Sequence, residues 1–208
     1  MWESQIPAFT SVGYRFIAYD RRAEGSALDD LEALAKHLVL DSFHLVGTAA
    51  GGIVAVDYAL SYPERLKTLV IANSIVGIQD DDYLEMSRRL RPAPEFNALP
   101  AEVRELGPSY RAANAEGTRR WKALAKEGHP AAQGTRNRIT YSALEKIATP
   151  TLLITGDADL YTPPSVLRLL AARFPNCESL VIPECGHSAF WEQPESFNRA
   201  VLDFISKH

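Results

Sequence analysis

The sequence predicts a doubly wound α/β domain with a mostly parallel sheet and helices on both faces. Two observations predict it. Short, continuous apolar runs rich in β-formers are typical of strands that are buried on both faces. Amphipathic helical stretches separate these runs, as in alternating α/β folds. The 208 residues are 46% hydrophobic and 23% charged, which is enough for one domain with a sizeable core and one insertion.

Five segments are predicted to be strands. Each is apolar and is bounded by turn or polar residues, as buried strands are. They are 14–20 (YRFIAYD), 43–47 (FHLVG), 67–74 (KTLVIANS), 150–159 (PTLLITGDAD) and 178–187 (ESLVIPECGH).

Helical stripes are predicted at 27–40, 165–174 and 195–205, where apolar residues recur every three or four positions. Residues 78–142 interrupt the alternation, because their helical stretches are cut by prolines and contain no clear strand. The predicted division is therefore a core of 1–77 and 143–208 with a helical cap at 78–142. Ligands of such folds bind at the carboxyl ends of the strands, which an insertion can cover.

Composition limits the classes of partner. The net charge is −4, the sequence pI is about 5.8, and the absence of a basic stripe argues against nucleic acid. No apolar run approaches the roughly 20 residues of a membrane helix, and the first ten residues lack a signal-peptide pattern. Two cysteines, Cys177 and Cys185, fit a reducing compartment. We expect a cytoplasmic protein that acts on a small molecule away from membranes; its oligomeric state is left open.

The most informative stretch is HLVGTAAGGIVAVDYAL, residues 44–60. A predicted strand runs into small residues and then into a predicted helix over 53–60. Gly47 and Gly51 are expected because side chains there would collide with the neighbouring backbone of a sharp turn. This is the pattern of the G-x-S-x-G nucleophile elbow, but the apex residue is Ala49, whose methyl group cannot attack a carbonyl.

At this point the chain resembles the α/β-hydrolase family over most of its length. Residues 20–26 resemble the family's D-x-R-G-x-G-S segment, with Ala23 in place of the first glycine. Residues 148–164 resemble the strand and loop that carry the catalytic acid, and residues 184–197 resemble the loop that carries the catalytic histidine. The chain order of apex, acid and histidine also fits that fold.

The resemblance implies a role for each of these residues. His187 would be the general base and Asp159 the acid that orients it, since Asp159 fits the family's G-x-x-D spacing better than its rival Asp157. The N–H group of Ala50 would help to hold an oxyanion. From its position four residues after His187, Trp191 is a candidate wall of the acyl pocket, although an aromatic residue there more often serves packing. No metal or organic cofactor is expected, because the sequence has neither cysteine–histidine ligand spacing nor a phosphate-binding glycine loop.

The cap carries two further candidates. His129, before Pro130, is considered as a pocket residue. The arginines are mostly expected to form a solvated face, with one available for a substrate carboxylate; they are Arg88, Arg89, Arg91, Arg119 and Arg120.

The resemblance implies hydrolysis of a carboxylic ester, an enol-lactone or a carbon–carbon bond next to a ketone, as in 3-oxoadipate enol-lactonases and hydrolases of aromatic ring-cleavage products. Three explanations of Ala49 stay open. An engineered change could have replaced a parent serine, the protein could be a natural pseudoenzyme that binds a ligand or partner, or His187 could act as a base without a covalent step.

The amino-terminal region departs from the family pattern. Residues 1–9 read as a helix start, with Trp2, Ile6 and Phe9 at helical spacing. The family usually has strands before the one expected at 14–20, and a His-Gly loop that supplies a second oxyanion N–H. We therefore expect either that an N-terminal segment is missing from the sequence or that the sheet is truncated, which would expose an apolar edge.

Overall fold

The computed structural model describes residues 1–128 and 133–208. Within them lies one sheet of four strands, all parallel, in the order β1-β2-β3-β4. Its strands are β1 (Phe43–Thr48), β2 (Leu66–Ala72), β3 (Thr151–Gly156) and β4 (Cys177–Ile182). The predicted parallel α/β architecture is confirmed. Each of these strands begins within two residues of the start of its predicted segment.

Helices follow the strands in alternation, and a short 3-10 turn at Pro63–Arg65 leads into β2. Those outside the region between β2 and β3 are α1 (Gln5–Thr10), α2 (Ala27–His37), α3 (Ala50–Ser61), α10 (Pro164–Ala171), α11 (Ala189–Glu192) and α12 (Pro194–Ile205). Those between β2 and β3 are α4 (Asp81–Leu90), α5 (Glu95–Ala98), α6 (Ala101–Glu105), α7 (Pro108–Ala113), α8 (Ala115–Glu127) and α9 (Tyr141–Leu144).

The sheet is covered on both faces because side chains alternate along each strand. On β2, Leu69 and Ile71 join a core cluster with α2, α3 and α10. Val70 and Ala72 point to the other face and join a second cluster with α1, α11 and α12. All four side chains are at most 2% exposed, so the continuous apolar run of this strand has the two-sided burial that it predicted.

The prediction of a strand at 14–20 is wrong, because this segment has no regular secondary structure. A cavity of about 710 Å³ is lined by residues 14–19 on one side and by β1 on the other. The Tyr14 ring still packs on His44, at 5.8 Å between centroids. The segment has the composition of a strand but no ladder partner, and among the described residues β1 pairs with β2 alone.

The helices α4 to α8 occupy the region that the sequence assigns to a cap, and the division into core and cap remains a prediction. Tyr83 of α4 is buried in the first core cluster and packs edge-on against Tyr141, at 6.2 Å between ring centroids.

His129 lies outside the described residues. In the part of the chain that is described, no helix is long and apolar enough to cross a membrane.

Candidate active site

The carboxyl end of each strand leads to one residue of the candidate site. Ala49 follows β1, Asn73 follows β2, and Asp159 and His187 lie on the loops after β3 and β4. Because all four strands are parallel and in register, their carboxyl ends lie at the same edge of the sheet. Sequence positions almost 140 apart are thereby gathered in one place.

The turn at Ala49 has a strained backbone. Its φ of 48° and ψ of −120° lie outside the regions that an alanine ordinarily adopts, at a cost of about 1–3 kcal/mol. The Ala49 N–H donates to the Ala72 carbonyl at 3.0 Å, and the Gly52 N–H donates to the Ala49 carbonyl at 3.0 Å. Helix α3 begins at Ala50, whose N–H is among the first of the helix and has no intrahelical acceptor.

The collision predicted to require glycine at positions 47 and 51 is present at Gly47 but not at Gly51. A Cβ at Gly47 would lie 2.4 Å from the Gly51 carbonyl oxygen, so the predicted collision is present there. A Cβ at Gly51 would meet nothing within 4 Å, because this position lines the 710 Å³ cavity. The close contact belongs to Gly52 instead, where a Cβ would lie 2.5 Å from the Cβ of Ser74.

Asp159 and His187 form a buried pair. The Nδ1 atom of His187 lies 2.9 Å from Oδ1 and 3.0 Å from Oδ2 of Asp159, and the two residues are 7% and 2% exposed. A carboxylate can only accept, so Nδ1 carries the hydrogen and Nε2 is left for other partners. The rival Asp157 is engaged elsewhere, since its Oδ1 accepts from the Cys185 N–H at 3.2 Å.

Polar groups surround the Asp159 carboxylate. Oδ1 accepts from the N–H groups of Tyr161 (2.7 Å) and Thr162 (2.9 Å), and Oδ2 accepts from Asn73 Nδ2 at 3.0 Å. Burial acts to raise the pKa of Asp159, but the hydrogen bonds from His187, Thr162 and Asn73 outweigh it, so the pKa is lowered. The carboxylate is therefore held ionised in a buried position.

Asn73 is a site residue that the sequence analysis missed. It is fully buried, has a φ of 49°, and its Nδ2 also donates to the Gly186 carbonyl at 3.1 Å. Asparagine tolerates such a φ better than most residues. Its position at the carboxyl end of the strand predicted at 67–74 was the available signal, since the carboxyl ends of parallel strands collect functional side chains.

Tyr161, on the loop after β3, covers His187, and residues of the insertion pack against Tyr161. The Tyr161 ring lies 4.4 Å from the imidazole, between centroids, and the Phe96 ring packs edge-on against Tyr161 at 5.1 Å. Arg104 Nη1 donates to the Tyr161 hydroxyl at 3.3 Å, and the Arg91 guanidinium lies 5.5 Å from the same ring. Burial, reinforced by a nearby carboxylate, raises the pKa of Tyr161 to about 12, so the tyrosine is neutral and its hydroxyl keeps its proton at pH 7.

The cavity reaches the apex of the turn but is not lined by the acid–histidine pair. Ala49, Ala50 and Gly51 line it, whereas Asp159 and His187 do not. Trp191 packs beside the second core cluster and is also absent from the cavity wall.

Within the described residues, no group of three or more His, Cys, Asp or Glu side chains could hold a metal ion.

A family model described as "Alpha/beta hydrolase family" matches residues 1–200. The chain is 30% identical over 232 residues to a 2-hydroxy-6-oxononadienedioate/2-hydroxy-6-oxononatrienedioate hydrolase of Burkholderia vietnamiensis, covering 97% of this chain and 80% of that protein. It is 25% identical over 229 residues to a 2-hydroxy-6-oxo-6-phenylhexa-2,4-dienoate hydrolase of Burkholderia cepacia, with coverages of 97% and 80%.

A solved structure of a thermophilic esterase from Thermogutta terrifontis, with malate bound, is similar to the whole chain. The TM-score is 0.80 at 25% sequence identity, and the match covers 99% of this chain and 84% of that one. The likeness therefore extends over nearly the whole chain.

Proposed function

The chain belongs to the alpha/beta hydrolase family, and we propose that its site is built to hydrolyse a small carboxylic ester, an enol-lactone or a carbon–carbon bond next to a ketone. The proposed mechanism uses a serine at position 49, the base His187 and the acid Asp159. With Ala49 at the apex, the chain as it stands lacks the nucleophile. The observation that carries the proposal is the buried His187–Asp159 contact of 2.9 Å at the same sheet edge as the apex.

In the proposed reaction, a serine hydroxyl at the apex attacks the substrate carbonyl while His187 Nε2 takes its proton. Asp159 keeps the imidazole in the Nδ1–H tautomer and stabilises the imidazolium that forms. The Ala50 N–H donates to the oxyanion. His187 then returns the proton to the leaving group, and water releases the acyl group by the same steps.

An alanine at the apex removes the covalent step but leaves the proposed base and its acid unchanged. Loss of the nucleophile costs on the order of 10⁶ in rate in a well-studied protease. The second candidate function is therefore binding of a small ligand without turnover, by a natural pseudoenzyme or by an engineered variant. The observation that favours it is Ala49 itself. A cofactor-free reaction with His187 as the base is the third alternative.

The substrate class is proposed from the relatives and from two insertion residues. The two relatives above are named for hydrolysis of hydroxy-oxo-dienoates, and the esterase structure holds malate. Arg91 and Arg104 lie against Tyr161, which covers His187. Guanidinium groups in such a position favour a substrate that carries a carboxylate. Trp191 stays a predicted wall of the site.

The experiment is the substitution Ala49→Ser, assayed against esters, enol-lactones and ring-cleavage dienones. We expect hydrolysis of at least one class, with activity lost again in Ala49→Ser/His187→Gln and in Ala49→Ser/Asp159→Asn. A folded Ala49→Ser protein that hydrolyses nothing in the panel would contradict the proposal. Tight binding of a small acid or lactone by that same inactive protein would favour the ligand-binding alternative.

A further inference from the structure

A second buried carboxylate lies beside the candidate site and has no part in the proposed mechanism. Glu192, the last residue of α11, is 6% exposed. Its Oε2 accepts from the Gly107 N–H at 2.7 Å and from the Gly186 N–H at 3.0 Å. Its Oε1 accepts from the Ser188 N–H at 3.1 Å. One side chain thus binds the residue before His187, the residue after it, and a residue of the insertion.

The backbones at this point approach more closely than side chains would allow. A Cβ at Gly186 would lie 2.3 Å from the Gly107 nitrogen, and a Cβ at Gly107 would lie 2.9 Å from Glu192 Oε2. The His187 N–H itself donates to the Glu105 carbonyl at 2.8 Å. Residues 105–107 of the insertion and residues 186–188 of the histidine loop are therefore joined directly, with Glu192 as the shared acceptor.

Burial of this carboxylate is costly. Desolvation raises the pKa of Glu192, and the three N–H groups offset only part of that effect, with Asp159 adding repulsion. A buried charge held by backbone dipoles contributes little net stability compared with an apolar residue of similar volume. What a carboxylate offers at this position is two oxygens that can accept from three N–H groups at once.

We propose that Glu192 is a positioning residue that fixes the His187 loop against segment 105–107 of the insertion. It touches neither substrate nor reacting atoms, and it acts by holding the backbone on both sides of His187. Loosening it would let the His187 imidazole move relative to the apex. It would also detach the insertion from the histidine loop. The effect on turnover rests on the proposed function, whereas the effect on the two backbone segments does not.

The test compares Glu192→Gln with Glu195→Gln, a matched control three residues along on an exposed part of α12. A glutamine presents one acceptor oxygen and an NH₂ group, so at least one of the three N–H groups loses its partner. Amide hydrogen exchange is measured in the chain as it stands. We expect exchange at Gly107 and His187 to quicken at least about tenfold in Glu192→Gln and to stay unchanged in Glu195→Gln.

Turnover is measured in the Ala49→Ser background. We expect Glu192→Gln to lower kcat about 10- to 100-fold with little change in KM, because a small misplacement of a catalytic group can cost about 100-fold. Glu192→Asp, which keeps both carboxylate oxygens, should recover part of the loss. If Glu192→Gln unfolds, Gly107→Ala disturbs the same contact from the insertion side and should quicken exchange at His187.

Exchange and kcat that match the Glu195→Gln control would overturn the proposal and leave Glu192 a merely structural residue. If Ala49→Ser is inactive, the proposed function fails on its own account. The exchange comparison then still decides whether Glu192 fixes the histidine loop.

Discussion

Replacing single glycines around the apex tests whether the turn is constrained in the way that the contacts indicate. The three substitutions are Gly47→Ala, Gly51→Ala and Gly52→Ala, each of which adds one methyl group. They lie within six residues of one another, but the added carbon meets a backbone, empty space and a packed side chain, respectively.

The expected magnitudes follow from those surroundings. At Gly47 the new carbon would lie 2.4 Å from a backbone oxygen and 2.7 Å from a backbone carbon, so the turn itself must move, at a cost of about 1–3 kcal/mol or more. Gly52→Ala meets Ser74 at 2.5 Å and should cost a similar amount. Gly51 is helical and unobstructed, so alanine there should stabilise the fold by about 0.5–1 kcal/mol.

The assay is urea unfolding of the three variants and the parent at one pH. With a slope of about 2 kcal/mol per molar urea, Gly47→Ala and Gly51→Ala should differ in midpoint by roughly 1–2 M, on opposite sides of the parent. Gly51→Ala that destabilises as much as Gly47→Ala would refute the reasoning. That result would mean that the position facing the cavity is crowded after all.

Two further predictions concern titratable groups. The pKa of Asp159 is lowered on folding, so its contribution to stability is complete above its unfolded pKa of about 3.9 and is lost as pH falls through the lower folded value. The difference in unfolding free energy between the parent and Asp159→Asn should therefore shrink below about pH 4, and urea midpoints that keep a constant gap from pH 7 to pH 3 would contradict this. Burial raises the pKa of Cys177 to about 11 and also raises that of Cys185. Both thiols should consequently react slowly with a disulfide reagent at pH 8 and quickly in denaturant, whereas a fast reaction of Cys185 in the native protein would be evidence against the burial of that side chain.

The strands that the sequence predicts correctly are those that pair with another strand among the described residues. The runs at β1 to β4 become strands because each has a parallel partner and because helices cover the sheet. The run at 14–20 has the same composition but faces a cavity instead of a ladder. Strand propensity reflects packing against neighbouring strands more than an intrinsic backbone preference. The local pattern at 14–20 could therefore not show whether this segment forms a strand.

Some residues of the candidate site could likewise be predicted from the sequence, and others could not. The resemblance to the α/β-hydrolase family, with its chain order and G-x-x-D spacing, pointed to Asp159 and His187, and the contact between these two side chains is present. Asn73 and Glu192 were missed because their importance lies in contacts with backbone groups 113 and 85 residues away. A glutamate near a histidine has no distinctive spacing, and only the folded chain brings the Gly107 N–H to it.

The strained backbone at Ala49 bears on how much a serine would have to rearrange. Its φ and ψ are held by contacts that do not involve its own side chain. The Ala49 N–H is bound to Ala72, its carbonyl is bound to the Gly52 N–H, and Gly47 permits the close approach of the two arms of the turn. The backbone of the turn is therefore strained to the same extent whether the apex carries a methyl or a hydroxymethyl group. One added oxygen needs no change in the backbone, so Ala49→Ser should unfold at a urea midpoint close to that of the parent. A large shift in that midpoint would mean that the present turn is adapted to alanine, which would favour the natural pseudoenzyme over the engineered hydrolase.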